Sequence, residues 1–267
     1  MSFLDRILPR VRAEVADPAY LASLPARGRP RASLVRAIAS APNRWAILIE
    51  HKRRSPGARE PELPERPLAE FLRFAAPGRV EGLSCLATRA EFDGSPQDVR
   101  GLARATTLPV LFKDFVIDPR QIEAADRAGA SAVLLIARLE TEGRLDRPLA
   151  SLAEEAHRRG LEVLLEFHAP EELKLVETVP ADVWGVNVRD LDGLAFRPTV
   201  AEATVRALPH DRPLLGLSGV EGPVEARRWR SWGTEGVLVG SAFARAAEPD
   251  RFLAAIRAAG EVPGGAR

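Results

Sequence analysis

Residues 109–136 read PVLFKDFVIDPRQIEAADRAGASAVLLI, and this stretch decides the fold. It opens with a short apolar run, Pro109–Phe112, that ends on Lys113-Asp114. Asp118-Pro119 follows, pairing an N-cap residue with a proline at the first helical position. A helix-length stretch then closes on Gly129, and a second apolar run, Ala132–Ile136, begins at once. Strand, helix and strand fit in one repeat. Both apolar runs have the near-continuous form expected of a parallel sheet covered by helices.

The same rhythm extends in both directions. Further apolar runs lie at Trp45–Glu50, Gly82–Leu86, Glu162–Phe167, Trp184–Val188, Leu214–Ser218 and Gly236–Gly240. Ser95-Pro96 marks another helix start, and Gly160 another helix end. The eight candidate strands and their spacings predict a (β/α)8 TIM barrel rather than a doubly wound open sheet. The dinucleotide-binding version of that sheet usually shows G-x-G-x-x-G after an early strand, and the sequence has none. Residues 1–44 carry two helix-like patterns, Phe3, Leu4, Ile7, Leu8, Val11 and then Leu34, Ile38, joined through Leu24–Pro30. We read them as an N-terminal helical extension packed across one end of the barrel, with residues 45–260 as the barrel and a frayed tail after it.

A chain of 267 residues is within the range of one α/β barrel. With 38 basic and 37 acidic residues the formal net charge is +1, which gives no reason to expect nucleic acid or an anionic membrane as partner. The longest apolar runs are far short of a bilayer span and the N-terminus lacks a signal-peptide core, so a cytoplasmic protein is expected. Cys85 is the single cysteine, and the four histidines lack zinc-ligand spacing; no metal and no cofactor is expected. Only three of the basic residues are lysines, Lys52, Lys113 and Lys174. Two of these fall at the ends of apolar runs.

In a barrel, polar residues at the carboxyl ends of strands face the active-site mouth. Here those ends read Glu50-His51-Lys52, Lys113-Asp114, Glu166, Asn187-Val188-Arg189, Ser218-Gly219 and Gly240-Ser241. Glu50 and Lys52 are two apart, as are Asn187 and Arg189, so each pair shares a strand face. Singly, such residues are as well read as solvated loops or satisfied ion pairs; together they point to one site, because buried charges are costly unless paired and are kept mainly for function. Glycine beside serine at the last two strand ends suits phosphate, since glycine lets backbone N–H groups approach closely. Other residues read as structural: Cys85 as core, His168 as lacking a triad partner, Arg227-Arg228-Trp229-Arg230 as a solvated helix face beside a packed indole, and His157-Arg158-Arg159 as cations at a helix C-terminus.

The stretch Ile49-Glu50-His51-Lys52-Arg53-Arg54-Ser55-Pro56 resembles the Glu-x-Lys-x-x-Ser-Pro motif of indole-3-glycerol phosphate synthases. Pro109–Pro119 is similar to that family's third strand and loop, and Glu162–His168, Gly185–Leu191, Leu238–Ala242 and Phe92–Ser95 match further segments in order. The resemblance implies ring closure of a phosphorylated carboxyphenylamino-deoxyribulose with loss of carbon dioxide and water. It implies Lys113 as acid and Glu166 as base, assisted by Glu50, Lys52 and Asn187. Arg189 and Ser55 would hold the anthranilate carboxylate, with Lys52, Ser218, Gly219, Gly240 and Ser241 on the phosphate, and Phe92, Phe115 and Leu134 lining the aromatic pocket. Lysine suits an acid because its pKa is tunable where arginine stays charged. The implied protein is a monomer or weak homodimer.

The sequence departs from the family at three places. Leu217 stands where a glutamate usually precedes the seventh-strand Ser-Gly, Ser55-Pro56-Gly57-Ala58-Arg59 replaces Ser-Pro-Ser-x-Gly, and Ser84-Cys85-Leu86-Ala87 replaces Ser-Val-Leu-Thr. Phosphoribosylanthranilate isomerase fits less well, wanting a cysteine at the first strand end, as do tryptophan synthase α subunits, which use carboxylates without catalytic lysines. The alternative is a divergent paralogue with a changed substrate or a non-catalytic binding role. The retained Lys113, Glu166 and Asn187 weigh against it.

Overall fold

The structure is a computed structural model that describes residues 2–26, 31–54 and 68–261. Three helices come first: α1 (Phe3–Ala16), α2 (Ala19–Ala22) and α3 (Leu34–Ala39). There follow β1 (Ala46–His51), α4 (Leu68–Phe74), β2 (Gly82–Leu86), α5 (Pro96–Ala105), β3 (Val110–Lys113), α6 (Pro119–Ala128), β4 (Ala132–Ile136), α7 (Ala137–Thr141) and α8 (Leu149–Arg158). The second half holds β5 (Glu162–Phe167), a 3-10 segment (Pro170–Leu175), β6 (Val183–Asn187), α9 (Pro198–Ala207), β7 (Leu214–Leu217), α10 (Pro223–Trp232), β8 (Gly236–Val239), α11 (Ser241–Arg245) and α12 (Pro249–Ala259). The strands close in sequence order into a barrel, β8 pairing in parallel with β1.

The strands fall where the apolar runs predict them, shifted by a residue at some ends. Pro109 has no N–H to give the ladder, so β3 begins at Val110. At the other end of β7, Ser218 turns into the left-handed region (φ 65°) and pairing stops at Leu217. The expected helix boundaries form: Ser95 accepts the Asp98 N–H, and Asp118 forms a capping box with Gln121 while Gly129 closes α6. Cys85 and Trp229 are core, whereas Arg227 and Arg228 are exposed.

The N-terminal helices differ from expectation, because they take opposite ends of the barrel. The α1 stripe Phe3, Leu4, Ile7, Leu8 and Val11 packs over the carboxyl ends of the strands: the Phe3 ring meets Phe115 at 6.0 Å, and Asp5 pairs with Arg144 at 2.8 Å. At the other end, α3 seals the amino ends. The first residue of β5, Glu162, accepts the Ser33 hydroxyl and the Leu34 and Val35 N–H groups, capping α3 with a carboxylate where the helix dipole favours one. Both patterns are amphipathic helices, and sequence spacing does not specify the end each one covers.

Docking α1 half-buries Glu14, whose carboxylate accepts the Arg89 N–H at 3.3 Å. Burial raises its pKa to about 7, with repulsion from Asp114 adding to the rise and the Arg89 N–H and charge opposing it. A carboxyl group with a raised folded pKa favours the fold while protonated. That contribution is lost as pH climbs from the ordinary glutamate range through about 7. Glu14→Gln should therefore stabilise the protein more at about pH 8 than at about pH 5. Thermal unfolding of both proteins across that range checks this; a pH-independent gap in Tm would contradict it.

Candidate active site

Strand register decides which side chains share a level inside the barrel. Glu50 of β1 pairs with Ser84 and Ser84 with Leu111, and closure of eight tilted strands carries the level partner two residues further, to Lys113. The same climb leads to Glu166 on β5, Leu217 on β7 and back to Glu50. Glu50, Lys113, Glu166 and Leu217 thus form one ring. Leu134 and Leu238 belong to the layer beneath it, and Leu86, Ile136, Asn187 and Gly240 to the layer above. One alternation further up the odd strands stand Lys52, Phe115 and His168.

These layers open into a pocket of about 950 Å³ of non-atom space, continuous with solvent at the mouth. Every site residue expected from the sequence lines it except Ser55, which lies outside the described residues. The pocket gathers Glu50, Lys52, Lys113, Glu166 and Asn187 with Phe92, Phe115, Leu134 and Arg189, and with Ser218, Gly219, Gly240 and Ser241 at the β7 and β8 ends.

Two ion pairs organise the charged ring. Lys52 Nζ lies 3.2 Å from Glu50 Oε1, and Lys113 Nζ lies 4.0 Å from Glu166 Oε2. Burial pushes the pKa of Glu166 up, but the Lys113 charge, the His168 imidazole and the Asn187 amide outweigh it and hold the carboxylate at about 2. Its Oε2 is buried and makes no hydrogen bond among the described residues, with Lys113 Nζ as its ion partner. Asp114, beside Lys113, serves the fold: Thr88, Gln121 and the Phe115 N–H all donate to it.

The β6 loop presents Arg189. Its N–H donates to Asn187 Oδ1 at 3.0 Å, Nη1 donates to the Leu194 carbonyl at 3.3 Å, and the guanidinium stacks 4.5 Å above the Phe196 ring. An antiparallel bridge between Arg189 and Phe196 closes this loop as a flap over the pocket. Across the mouth, Gly219 follows Ser218 in the left-handed region (φ 68°), and a Cβ there would stand 2.5 Å from Val188 Cγ1. At Gly240 a Cβ would stand 2.6 Å from Glu50 Oε1 and 3.1 Å from Lys52 Nζ, so only glycine lets that ion pair lie against the β8 backbone.

Several pocket residues were not among the expected ones. Phe3 reaches in from α1 and extends an aromatic row, with Phe115 at 6.0 Å and Phe92 a further 6.3 Å on. Leu191 and Leu194 come from the flap. Behind the pocket, His168 lies fully buried 3.2 Å from Glu166. It is two residues beyond Glu166 on the same strand face, the spacing that flagged Lys52 and Arg189.

A barrel of this kind, with lysine–carboxylate pairs at the carboxyl ends of its strands, is a (β/α)8 enzyme. Comparison with known proteins names the family. The model of the family described as indole-3-glycerol phosphate synthase matches residues 4–256. An indole-3-glycerol phosphate synthase of Exiguobacterium sibiricum is 32% identical over 257 residues, covering 96% of this chain and 97% of that protein. One from Bacteroides thetaiotaomicron is 36% identical over 227 residues, covering 83% and 82%. Among solved structures, thiamine phosphate pyrophosphorylase from Pyrococcus furiosus (TM-score 0.59, 20% identity, 82% of this chain and 96% of that one) shares the fold. So does N-(5'-phosphoribosyl)anthranilate isomerase from Pyrococcus furiosus (TM-score 0.58, 12% identity, 81% and 98%). The chain belongs to the indole-3-glycerol phosphate synthase family. It is accordingly a carboxy-lyase of tryptophan biosynthesis that closes the indole ring of its phosphorylated substrate.

Leu217 completes the charged ring without a charge. It is 1% exposed, and its Cδ1 fills the space beside Gly185 where a side chain would stand. Leu217→Glu adds a carboxylate level with Lys113, which can pair with it. Activity should stay within about tenfold of the parent, roughly 1.4 kcal/mol of barrier. Turnover and thermal unfolding measured side by side check this, and a gain well beyond tenfold would mean the parent is not a fully working synthase.

Proposed function

We propose that Lys113 is the general acid and Glu166 the general base of the ring closure. The observation that carries this is the Lys113–Glu166 pair in one ring lining the pocket, with no hydrogen bond made to Glu166 Oε2 among the described residues. The carboxylate-bearing carbon of the aryl ring attacks the ketone carbon, and Lys113 donates its proton to the ketone oxygen as that oxygen gains charge. Loss of carbon dioxide returns its bonding pair to the ring. Glu166 then removes a proton from the carbon next to the one bearing the new hydroxyl, while Lys52 gives that hydroxyl a proton so that it leaves as water, with Glu50 and Asn187 assisting. The proton held by Glu166 and one from solvent restore the two lysines.

Charge makes the order self-consistent. While Lys113 is an ammonium it holds Glu166 strongly acidic and a weak base. Once Lys113 has given up its proton, that attraction is gone and Glu166 becomes more basic, at the stage when a base is needed.

Binding follows the remaining lining. Arg189, braced by Phe196 and the Leu194 carbonyl, is a planar fork for the aryl carboxylate. Phe92, Phe115 and Leu134 flank the aromatic ring. Lys52 with Ser218, Gly219, Gly240 and Ser241 holds the phosphate, where barrels of this type frequently bind one. A cytoplasmic location fits a biosynthetic enzyme with no helix long and apolar enough to cross a membrane among the described residues.

Adding the phosphorylated carboxyphenylamino-deoxyribulose and following indole fluorescence should show turnover. A folded protein that gives no product at high concentration would overturn the reading. Lys113→Arg keeps the charge but not the transferable proton, and should cut turnover by roughly 10² or more while binding of a product analogue changes little. Near-normal turnover would remove Lys113 from the acid role.

A further inference from the structure

We propose that His168 is a positioning residue for this reaction: ion-paired between Glu166 and Glu172, it draws Glu166 Oε1 to the imidazole and leaves Oε2 on the Lys113 side. The proposal rests on Glu166 being the base. His168 Nε2 lies 3.2 Å from Glu166 Oε1 and His168 Nδ1 lies 3.8 Å from Glu172 Oε2; these are ion-pair contacts, and neither buried ring nitrogen makes a hydrogen bond among the described residues. The side chains of His168 and Glu166 are each 1% exposed, and that of Glu172 is 4% exposed, so water does not mediate these contacts cheaply.

This arrangement is itself held from behind. Glu172, on the 3-10 segment after β5, accepts the His168 backbone N–H at 2.7 Å and the Arg138 Nε–H at 2.9 Å. Arg138 of α7 also donates to Asp190 at 2.7 Å, and Asp190 lies 3.3 Å from Arg197. From Lys113 through Glu166, His168, Glu172, Arg138 and Asp190 to Arg197 the groups alternate in sign, given a protonated imidazole. The line runs from the charged ring to the flap that carries Arg189.

Each neighbour of the imidazole favours that protonated form. Glu166 faces it from β5 and Glu172 from the 3-10 segment; Lys113 and Asn187 meet Glu166 instead, and Arg138 meets Glu172. Burial lowers the His168 pKa, but the two carboxylates more than offset it and the net direction is upward. A histidine kept only to fill space needs no carboxylate on either side. Burying three charges is costly unless their arrangement serves something. A glutamate free to swing would spend much of its time off the reactive geometry, and small misplacements of a catalytic group are expensive.

The test compares pH profiles of the parent, His168→Gln and Glu166→Gln on the phosphorylated carboxyphenylamino-deoxyribulose. His168→Gln should lower kcat by about 10- to 100-fold with KM within about threefold, because a loosened base loses geometry but not substrate contacts. Its acidic limb in kcat/KM should move up by about one pH unit, since Glu166 has lost a cationic neighbour. A purely structural histidine would change stability without moving that limb. An unchanged limb with kcat within about threefold overturns the proposal, whereas near-normal turnover in Glu166→Gln overturns the assignment of the base itself.

If His168→Gln does not fold, ring-nitrogen NMR of the parent labelled with 15N-histidine decides. The ring whose signals shift in Glu166→Gln should keep protons on both nitrogens to a higher pH than an exposed histidine does. A ring that titrates like an exposed histidine overturns the proposal.

Discussion

Closure of eight parallel strands is the constraint on which the rest depends. A strand directs alternate side chains inward, and a closed, tilted sheet shifts the level partner by two residues at every second strand. Inward residues therefore stack in rings whose membership is fixed by register and not by sequence proximity. Glu50, Lys113 and Glu166 come from strands far apart in the chain, and they meet because the register admits no other level for them. Apolar side chains occupy the rings nearer the amino ends, where Leu48, Leu164 and Leu215 are fully buried. Charges begin only at the level where the barrel opens.

Within that ring the charges balance. Glu50 is matched by Lys52 above it, and Glu166 by Lys113 beside it. Leu217 fits such a ring, because a fourth ionised member would have to share a lysine that already has a partner. The ring also explains why Gly240 carries no side chain: the Glu50–Lys52 pair lies against the β8 backbone, in the volume that a Cβ would take. One strand end thus supplies the charges, another supplies the vacancy they need, and both are set by the same register.

Much of this was legible in the sequence because it follows from period-two alternation and capping chemistry, which are local. Lys52 and Arg189 stood out as second inward residues beyond Glu50 and Asn187. His168 has the same spacing from Glu166; it lacks a triad partner, but the alternation rule alone places it on the inward face. Glu172, Arg138 and Asp190 were not legible, since three separate elements bring them together and no spacing records that. The placing of α1 and α3 at opposite ends has the same origin. Both stripes call for burial, but which end receives each depends on partners elsewhere, Phe115 and Arg144 for α1 and Glu162 for α3.

That division of the N-terminal helices joins fold to chemistry. By sealing the amino ends, α3 completes the core, whereas α1 lays Phe3 beside Phe115 and Phe92 at the mouth. An apolar wall there has an electrostatic consequence. Water displaced from the mouth no longer screens the pairs below it, and ionic interactions strengthen as the local dielectric falls. The attraction that holds Glu166 ionised beside Lys113 therefore depends in part on a helix that contributes no charge to the ring. The same docking half-buries Glu14 near Asp114 and makes α1 the pH-sensitive part of the cover. Drying the site and loading a carboxylate under α1 are two consequences of one packing event, so the stability of the extension and the electrostatics of the ring are not independent.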